Sequence, residues 1–148
     1  IGPNVSIGDN CKIQNNVSIY EGLIISNNVF IGPSVVFTNV INPRSFIERK
    51  DQFMETNIKD GVSIGANATI ICGVTLGKYC LIGAASVITK SVIDYSIVYG
   101  NPAKQKGWIS RAGIKLNIPI KGDKINDICH LSKKKYYLKN NILSEIEI

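Results

Sequence analysis

The chain has 148 residues, 45% of them apolar, and a net charge of +6. That length suits one domain with a proper core. No apolar run reaches the 18 or more residues of a membrane span, and no signal peptide is visible, so no membrane partner is expected. The excess charge sits late, in Lys104, Lys106, Lys115, Lys121, Lys124 and Lys133 to Lys135. These lysines are not interleaved with aromatic residues as in single-strand binders, so no nucleic-acid partner is expected; a positive field also suits a phosphate-rich ligand. Cys11, Cys72, Cys80 and Cys129 form no CxxC pair and read as small thiols in a reducing cytoplasm.

From the first residue, large apolar side chains recur every six positions: Ile1, Ile7, Ile13, Ile19, Ile25, Ile31 and Phe37, then Ile58, Ile64, Ile70, Leu76, Ile82 and Ile88. A smaller partner follows four residues later, as in Val5, Cys11, Val17, Val62, Ala68 and Val74. Gly often follows the large residue, as at Gly8, Gly32, Gly65, Gly77 and Gly83. Neither a 3.6-residue helix nor a two-residue strand alternation gives a period of six. A coil with three short flat faces does, if each face points one large side chain inward. Gly and Asn near the corners would permit tight turns with positive φ. Successive coils would stack at about 4.8 Å, with backbone groups paired between coils and the inward residues forming ladders. The expected fold is therefore an all-β parallel β-helix over about residues 1–93.

Phe37 and Ile58 are 21 residues apart, which is no multiple of six. The spacing predicts a slip of register and an external loop over about residues 39–57, since a solenoid expels insertions at its corners. Arg44, Glu48, Arg49 and Lys50 mixed with Phe46, Phe53 and Met54 suggest a loop that packs on something, at a site or a subunit interface.

Beyond Val92 the repeat fades. Residues 94–112 read as an exit segment carrying Gly100-Asn101-Pro102-Ala103, a turn-rich element. Residues 113–148 read as a small C-terminal extension with a hairpin around Asn140-Asn141, fit to be a cap or an oligomer contact.

Three segments, Lys12 to Glu21, Val36 to Arg44 with Glu48 to Lys50, and Gly100 to Ala103, together with the [LIV]-G-x-x-[VAS]-x repeats, carry a family resemblance over about residues 1–112. They resemble the hexapeptide-repeat acyltransferases, and among them the UDP-2-acetamido-3-amino-2,3-dideoxy-glucuronate N-acetyltransferases of bacterial lipopolysaccharide O-antigen synthesis. The related dTDP-3-amino-3,6-dideoxyhexose N-acetyltransferases look similar over the same span. The resemblance implies a left-handed coil, although parallel crossovers are generally right-handed. It also implies a cytoplasmic homotrimer with sites between subunits, and acetyl-CoA and a nucleotide sugar as co-substrates. Family members usually carry further N-terminal coils, so the chain is expected to start late.

Acetyl transfer from a thioester needs a neutral amine, a donor for the carbonyl oxygen as it gains charge, and a route for the extra proton. Many hexapeptide acetyltransferases use a His on the coil as base. Here the only His is His130, deep in the tail and expected to be a surface residue; no metal is expected, for want of a three-His set on the coil. By resemblance, Asn39 matches the family Asn that holds the sugar amine, while the departing CoA thiolate takes the proton. The lesser alternative is that Asn39 merely closes a corner of the coil. Candidates for the sugar nucleotide are Gln14, Asn15, Asn16, Tyr20, Glu21, Arg44, Glu48, Arg49 and Lys50; an Arg fork suits a carboxylate or diphosphate. Asn15 and Asn16 are equally good corner residues. For acetyl-CoA, backbone groups near Gly65, Ala66, Gly83 and Ala84 could take the pantetheine arm as an added strand. Lys90, Pro102, Ala103 and Lys104 would meet the phosphate end, although Lys90 could also be a solvated edge charge. Alternatives are a dTDP-amino sugar as acceptor, O-acetylation of a hydroxyl, and a non-catalytic scaffold.

Overall fold

The computed structural model describes residues 1–147. The regular structure is almost entirely strand, and in the coil the strands are rungs of two or three residues joined by turns. In chain order these are β1 (Ser6–Ile7), β2 (Lys12–Ile13), β3 (Leu23–Ile25), β4 (Phe30–Ile31), β5 (Val36–Phe37), β6 (Thr56–Ile58), β7 (Ser63–Ile64), β8 (Thr69–Ile70), β9 (Thr75–Leu76), β10 (Leu81–Ile82) and β11 (Val87–Ile88). They sort into three parallel sheets. The first holds β1, β3, β6 and β9; the second holds β2, β4, β7 and β10; the third holds β5, β8 and β11.

One turn of the coil takes eighteen residues, as the pairings Ile7 with Ile25 and Ile58 with Leu76 show. Six-residue repeats thus become a three-faced prism. Its inside is filled by ladders such as Ile13, Ile31, Ile64 and Ile82, of which Ile31, Ile64 and Ile82 have no solvent exposure. The first turn is half-buried at Val5, Ile7, Cys11, Ile13 and Val17.

The corners divide the conformational work in a way the repeat did not reveal. Positive φ recurs every six residues at Asn4, Asn10, Asn16, Gly22, Asn28 and Ser34, and again at Gly61, Asn67, Gly73, Tyr79 and Ala85. Asn tolerates this region through local hydrogen bonding. The Gly that follows each large residue has a different reason. A Cβ on Gly32 would lie 2.8 Å from the Ala66 nitrogen, and one on Gly65 would lie 2.5 Å from the Ala84 nitrogen. These glycines let one corner rest on the next, while the positive φ expected of Gly and Asn at the corners is supplied by Gly22, Gly61, Gly73 and the corner Asn residues.

The predicted register slip does not occur in space. Ile25 pairs with Ile58, Ile31 with Ile64 and Phe37 with Ile70, each thirty-three positions on rather than eighteen, so fifteen residues leave the coil and it resumes in phase. Thr56 and Asn57, expected in the loop, belong to β6, where Thr56 fills the buried slot that pairs with Leu23.

The core of the coil also runs past Ile93. Strand β12 (Ser96–Gly100) adds a parallel rung beside β10, and Val98 joins the coil's core. The chain reverses through Gly100 to Ala103 into β13 (Ala103–Ile109), antiparallel to β12, and then β14 (Lys115–Leu116). The tail is larger than a hairpin. Strands β15 (Ile125–Ile128), β16 (Lys135–Lys139) and β17 (Ile142–Ile146) make an antiparallel sheet, with Asn140 and Asn141 in its tight turn, both at positive φ. One face of it closes a second core around Trp108, Leu116, Ile118, Cys129, Tyr136, Leu138 and Leu143.

Candidate functional site

Each corner of the prism is a column of stacked turns, and the columns sort the candidate residues. Gln14, Asn15 and Asn16 stand on the corner between the second and third sheets. The amide of Gln14 donates to the Ile31 carbonyl, and Ser34 to that of Asn15. Gly65, Ala66, Gly83 and Ala84 occupy the same column further along. Tyr20, Glu21, Asn39 and Lys90 stand on the next corner, between the third and first sheets; the Asn4 side chain donates to Glu21 at 2.8 Å there. The acceptor-site candidates are therefore divided between two columns, with the third sheet between them.

The loop leaves from the second of these columns. Its neck is held by two bonds: the Cys72 amide donates to Thr38 Oγ1 at 2.9 Å, and the Met54 amide donates to the Asn39 carbonyl at 2.9 Å. Thr56 donates its amide to Gly22, which sets Tyr20 and Glu21 directly beside the loop's return. Asn39 thus closes the neck with its main chain. Its half-buried carboxamide makes no hydrogen bond among the described residues.

Within the loop, a concavity of about 240 Å³ is lined by Val40, Pro43, Ile47 and Phe53 together with Arg44, Glu48, Arg49 and Lys50. All four charged candidates of the loop therefore meet at one place. Lys50 and Glu48 pair at 3.2 Å in solvent, and Arg49 donates to Gln52 Oε1 at 3.0 Å. Arg49 Nε is shielded from water and has no partner among the described residues. A donor so placed is costly until it finds an acceptor.

The expected use of Gly65 and Gly83 needs correction. Their amide N–H groups already donate to Ile82 and Val98, and the Ala66 carbonyl accepts from Ala85. Stacking of the coil consumes these groups. The N–H groups of Ala66 and Ala84 donate to no protein acceptor among the described residues. Lys90 and Ala103, thirteen residues apart in sequence, line one crevice of about 220 Å³ at the end of the coil, with Thr89, Ser91 and Gln105. Pro102 and Lys104 lie outside its lining, both exposed, Pro102 on the reversal from β12 to β13 and Lys104 near the start of β13. His130 is exposed in the connection after β15. Among the described residues no His, Cys, Asp or Glu cluster could hold a metal.

Sequence reasoning missed the seam between coil and tail. Tyr79 stacks on Tyr95 with ring centres 5.5 Å apart, and Tyr95 meets Tyr136 edge-on at the same distance. Arg111 lies over the Tyr79 ring at 5.0 Å. The Tyr136 hydroxyl accepts from the Arg111 amide at 2.8 Å and donates to Glu145 at 3.2 Å. Burial pushes the Tyr95 and Tyr136 hydroxyls up to about 12, so both are protonated donors at neutral pH. One signal was available: Tyr79 occupies a positive-φ corner where Asn or Gly usually stands.

Eighteen residues per turn, three parallel sheets and an inward ladder define a hexapeptide-type β-helix. Residues 4–39 and 55–90 match the family described as Bacterial transferase hexapeptide (six repeats), leaving out most of the loop. The chain belongs to this hexapeptide-repeat transferase family. It is 39% identical over 98 residues to dTDP-3-amino-3,6-dideoxy-alpha-D-galactopyranose 3-N-acetyltransferase of Aneurinibacillus thermoaerophilus, covering 66% of this chain and 48% of that protein. Among solved structures it is similar to a hexapeptide-repeat containing acetyltransferase of Vibrio cholerae complexed with acetyl coenzyme A, with TM-score 0.63, 28% identity and coverage of 73% of this chain and 66% of that one. A maltose O-acetyltransferase of Clostridium difficile is similar with TM-score 0.64, 26% identity and coverage of 73% and 60%. The chain spans about half the length of the curated relatives at the head of these matches.

Proposed function

We propose that this chain is the working coil of an acetyl-CoA-dependent N-acetyltransferase acting on the 3-amino group of a nucleotide-linked amino sugar, in a cytoplasmic pathway to bacterial surface polysaccharide. The observation that carries the reading is the loop. On a transferase coil, an insertion places an uncommitted Asn39 carboxamide at its neck and gathers Arg44, Glu48, Arg49 and Lys50 around one concavity with an unsatisfied Arg49 donor. Such a cluster fits the diphosphate and, in a uronate, the carboxylate of a nucleotide sugar. The relative from Aneurinibacillus, whose name specifies a 3-amino sugar carried on dTDP, supports the amine as nucleophile. The choice between a UDP-linked uronate and a dTDP-linked deoxyhexose rests on what the loop's cations hold.

In the reaction, the sugar amine's lone pair attacks the thioester carbonyl carbon. The new C–N bond forms, the C–S bond breaks, and the proton leaving nitrogen ends on the CoA thiolate. Asn39 accepts from the amine and aims it. Alignment of this kind contributes several kcal/mol on its own, so no side-chain base is required. The N–H groups of Ala66 and Ala84 are suited to the amide carbonyls of the pantetheine arm, and Lys90 beside Ala103 to the phosphate end.

The two candidate columns stand on different corners of one prism, with the third sheet between them. A neighbouring copy set alongside would bring the Asn39 corner of one chain to the Ala66 and Ala84 corner of the next. This arrangement supports a homotrimer with shared sites, and membership of the hexapeptide-repeat family supports a left-handed coil. An O-acetyltransferase reading is favoured by the maltose enzyme among the structural neighbours. It would call for a base to activate a hydroxyl, and the one His of the chain lies outside the coil.

The test is release of free CoA thiol with a panel of UDP- and dTDP-linked 3-amino sugars and their 3-hydroxy counterparts. Turnover with an amine and a loss of at least about 100-fold in kcat for Asn39→Ala, with folding intact, is expected from lost alignment. Turnover of hydroxyl acceptors alone, or full activity of the variant, refutes the assignment.

A further inference from the structure

The tail contributes nothing to the proposed reaction, yet its sheet has two unlike faces. By strand alternation, one face of β15, β16 and β17 turns Ile125, Asp127, Tyr136, Leu138, Leu143 and Glu145 toward the second core. The other carries Asn126 and Ile128, then Lys135, Tyr137 and Lys139, then Ile142, Ser144 and Ile146. In cross-strand register, Ile128 and Ile146 flank Lys135, and Ile142 stands beside Lys139. Ile142 is 65% exposed and Ile128 55% exposed, with Leu131 exposed in the adjoining connection.

Carboxylates are absent from that face among the described residues. Asp127 accepts from the Asn117 amide, Glu145 from the Tyr136 hydroxyl, and Asp123 from the Asn140 amide at the hairpin end. Residues 113–148 hold seven lysines against four carboxylates, and the strand-borne carboxylates are turned away. The outer face is thus cationic with large aliphatics between the charges. A nucleic-acid strand would ask for exposed aromatic platforms, and here the single aromatic, Tyr137, is half-buried. Aliphatic side chains interspersed with lysines suit a surface whose anions float on hydrocarbon.

We infer that the outer face of the β15–β16–β17 sheet docks on an anionic lipid bilayer, with Lys135 and Lys139 at the headgroup phosphates and Ile128 and Ile142 pressed into the acyl boundary. The expectation of no membrane partner rested on the lack of a span, and surface contact requires none. Lysine stems reach from an apolar contact to the headgroup level without burying the charge. The contact would hold the chain at a membrane without involving the Asn39 loop, so it stands apart from the proposed reaction.

The test is co-sedimentation of the 148-residue chain with vesicles of phosphatidylglycerol and phosphatidylcholine, against vesicles of phosphatidylcholine alone. Binding is expected to the anionic vesicles only and to weaken as salt rises. With each lysine contributing about fivefold, Lys135→Gln with Lys139→Gln should weaken it on the order of 25-fold. Ile128→Ser with Ile142→Ser should weaken it too while keeping the salt dependence. Equal binding to neutral vesicles, no binding to either, an unchanged affinity in either double variant, or displacement of the vesicles by a single-stranded oligonucleotide would overturn the proposal.

Discussion

Gly65→Ala tests how tightly one corner rests on the next. The added Cβ would meet the Ala84 nitrogen at 2.5 Å, the Ala84 Cα at 2.9 Å and the Gly83 carbonyl carbon at 2.9 Å. All three are backbone atoms, so no side chain can swing aside. Relief requires the two corners to part by several tenths of an ångström. That stretches the bond from Gly65 to Ile82, now 2.8 Å, and the one from Ala85 to Ala66, now 2.9 Å. Weakening both costs about 1 kcal/mol each, and the overpacking itself about 1–3 kcal/mol. A loss of about 3–5 kcal/mol is expected from these terms, against a total of about 5–15 kcal/mol for a typical domain. Gly113→Ala is the control: its Cβ would meet nothing within 4 Å, although its φ of +80° makes Ala strained there, at a cost of about 1 kcal/mol. Urea unfolding with a common m-value measures both. If Gly65→Ala is no less stable than Gly113→Ala, close stacking is not the reason for Gly at this position.

Tyr136→Phe keeps the ring against Tyr95 but removes the partner of the Arg111 amide and of Glu145; a loss of about 1–3 kcal/mol is expected in urea unfolding. Burial pushes the Cys129 thiol up, but hydrogen bonds from Ser110 and Ser132 side chains and from the Ser132 and Leu131 backbone outweigh it and bring the thiol down to about 7 from 9.0. A lowered folded value means that the folded chain holds fewer protons than the unfolded one between those limits. Stability from this group is therefore full above pH 9.0 and lost as pH falls through about 7. Thermal midpoints of the wild type should rise over that window relative to Cys129→Ser, and parallel curves would refute the assignment. Lys50→Gln should leave stability within about 0.5 kcal/mol, because its pair with Glu48 is largely exposed to solvent, while raising KM for a nucleotide sugar if the loop holds the diphosphate.

The β-helix was legible because its period is written in every rung: Ile, Leu or Phe at each inward position leaves few folds that bury them all. The in-phase return of the coil was not, since sequence counts residues along the chain while pairing of Ile25 with Ile58 is set by stacking. The same holds for the glycines. A residue after Ile can be Gly for φ or for lack of room, and only the position of the next coil tells which. The loop's charges could be read as a group, but the unsatisfied nitrogen on Arg49 depends on packing. The tail was the least legible part. Its core joins Trp108 to Leu143 across turns of no fixed period.

A fifteen-residue excursion that leaves the ladder in step makes the frame indifferent to what is hung on it. Only the neck, with Thr38 bonded by Cys72 and Asn39 by Met54, must keep its geometry. Closing a longer or shorter loop at that neck changes the entropy only slowly with length. What the loop carries and how stable the coil is are therefore separable quantities in this architecture: a different arm could be grafted between Asn39 and Met54 while Ile58 still finds Ile25, and on the proposed function that arm would change the acceptor.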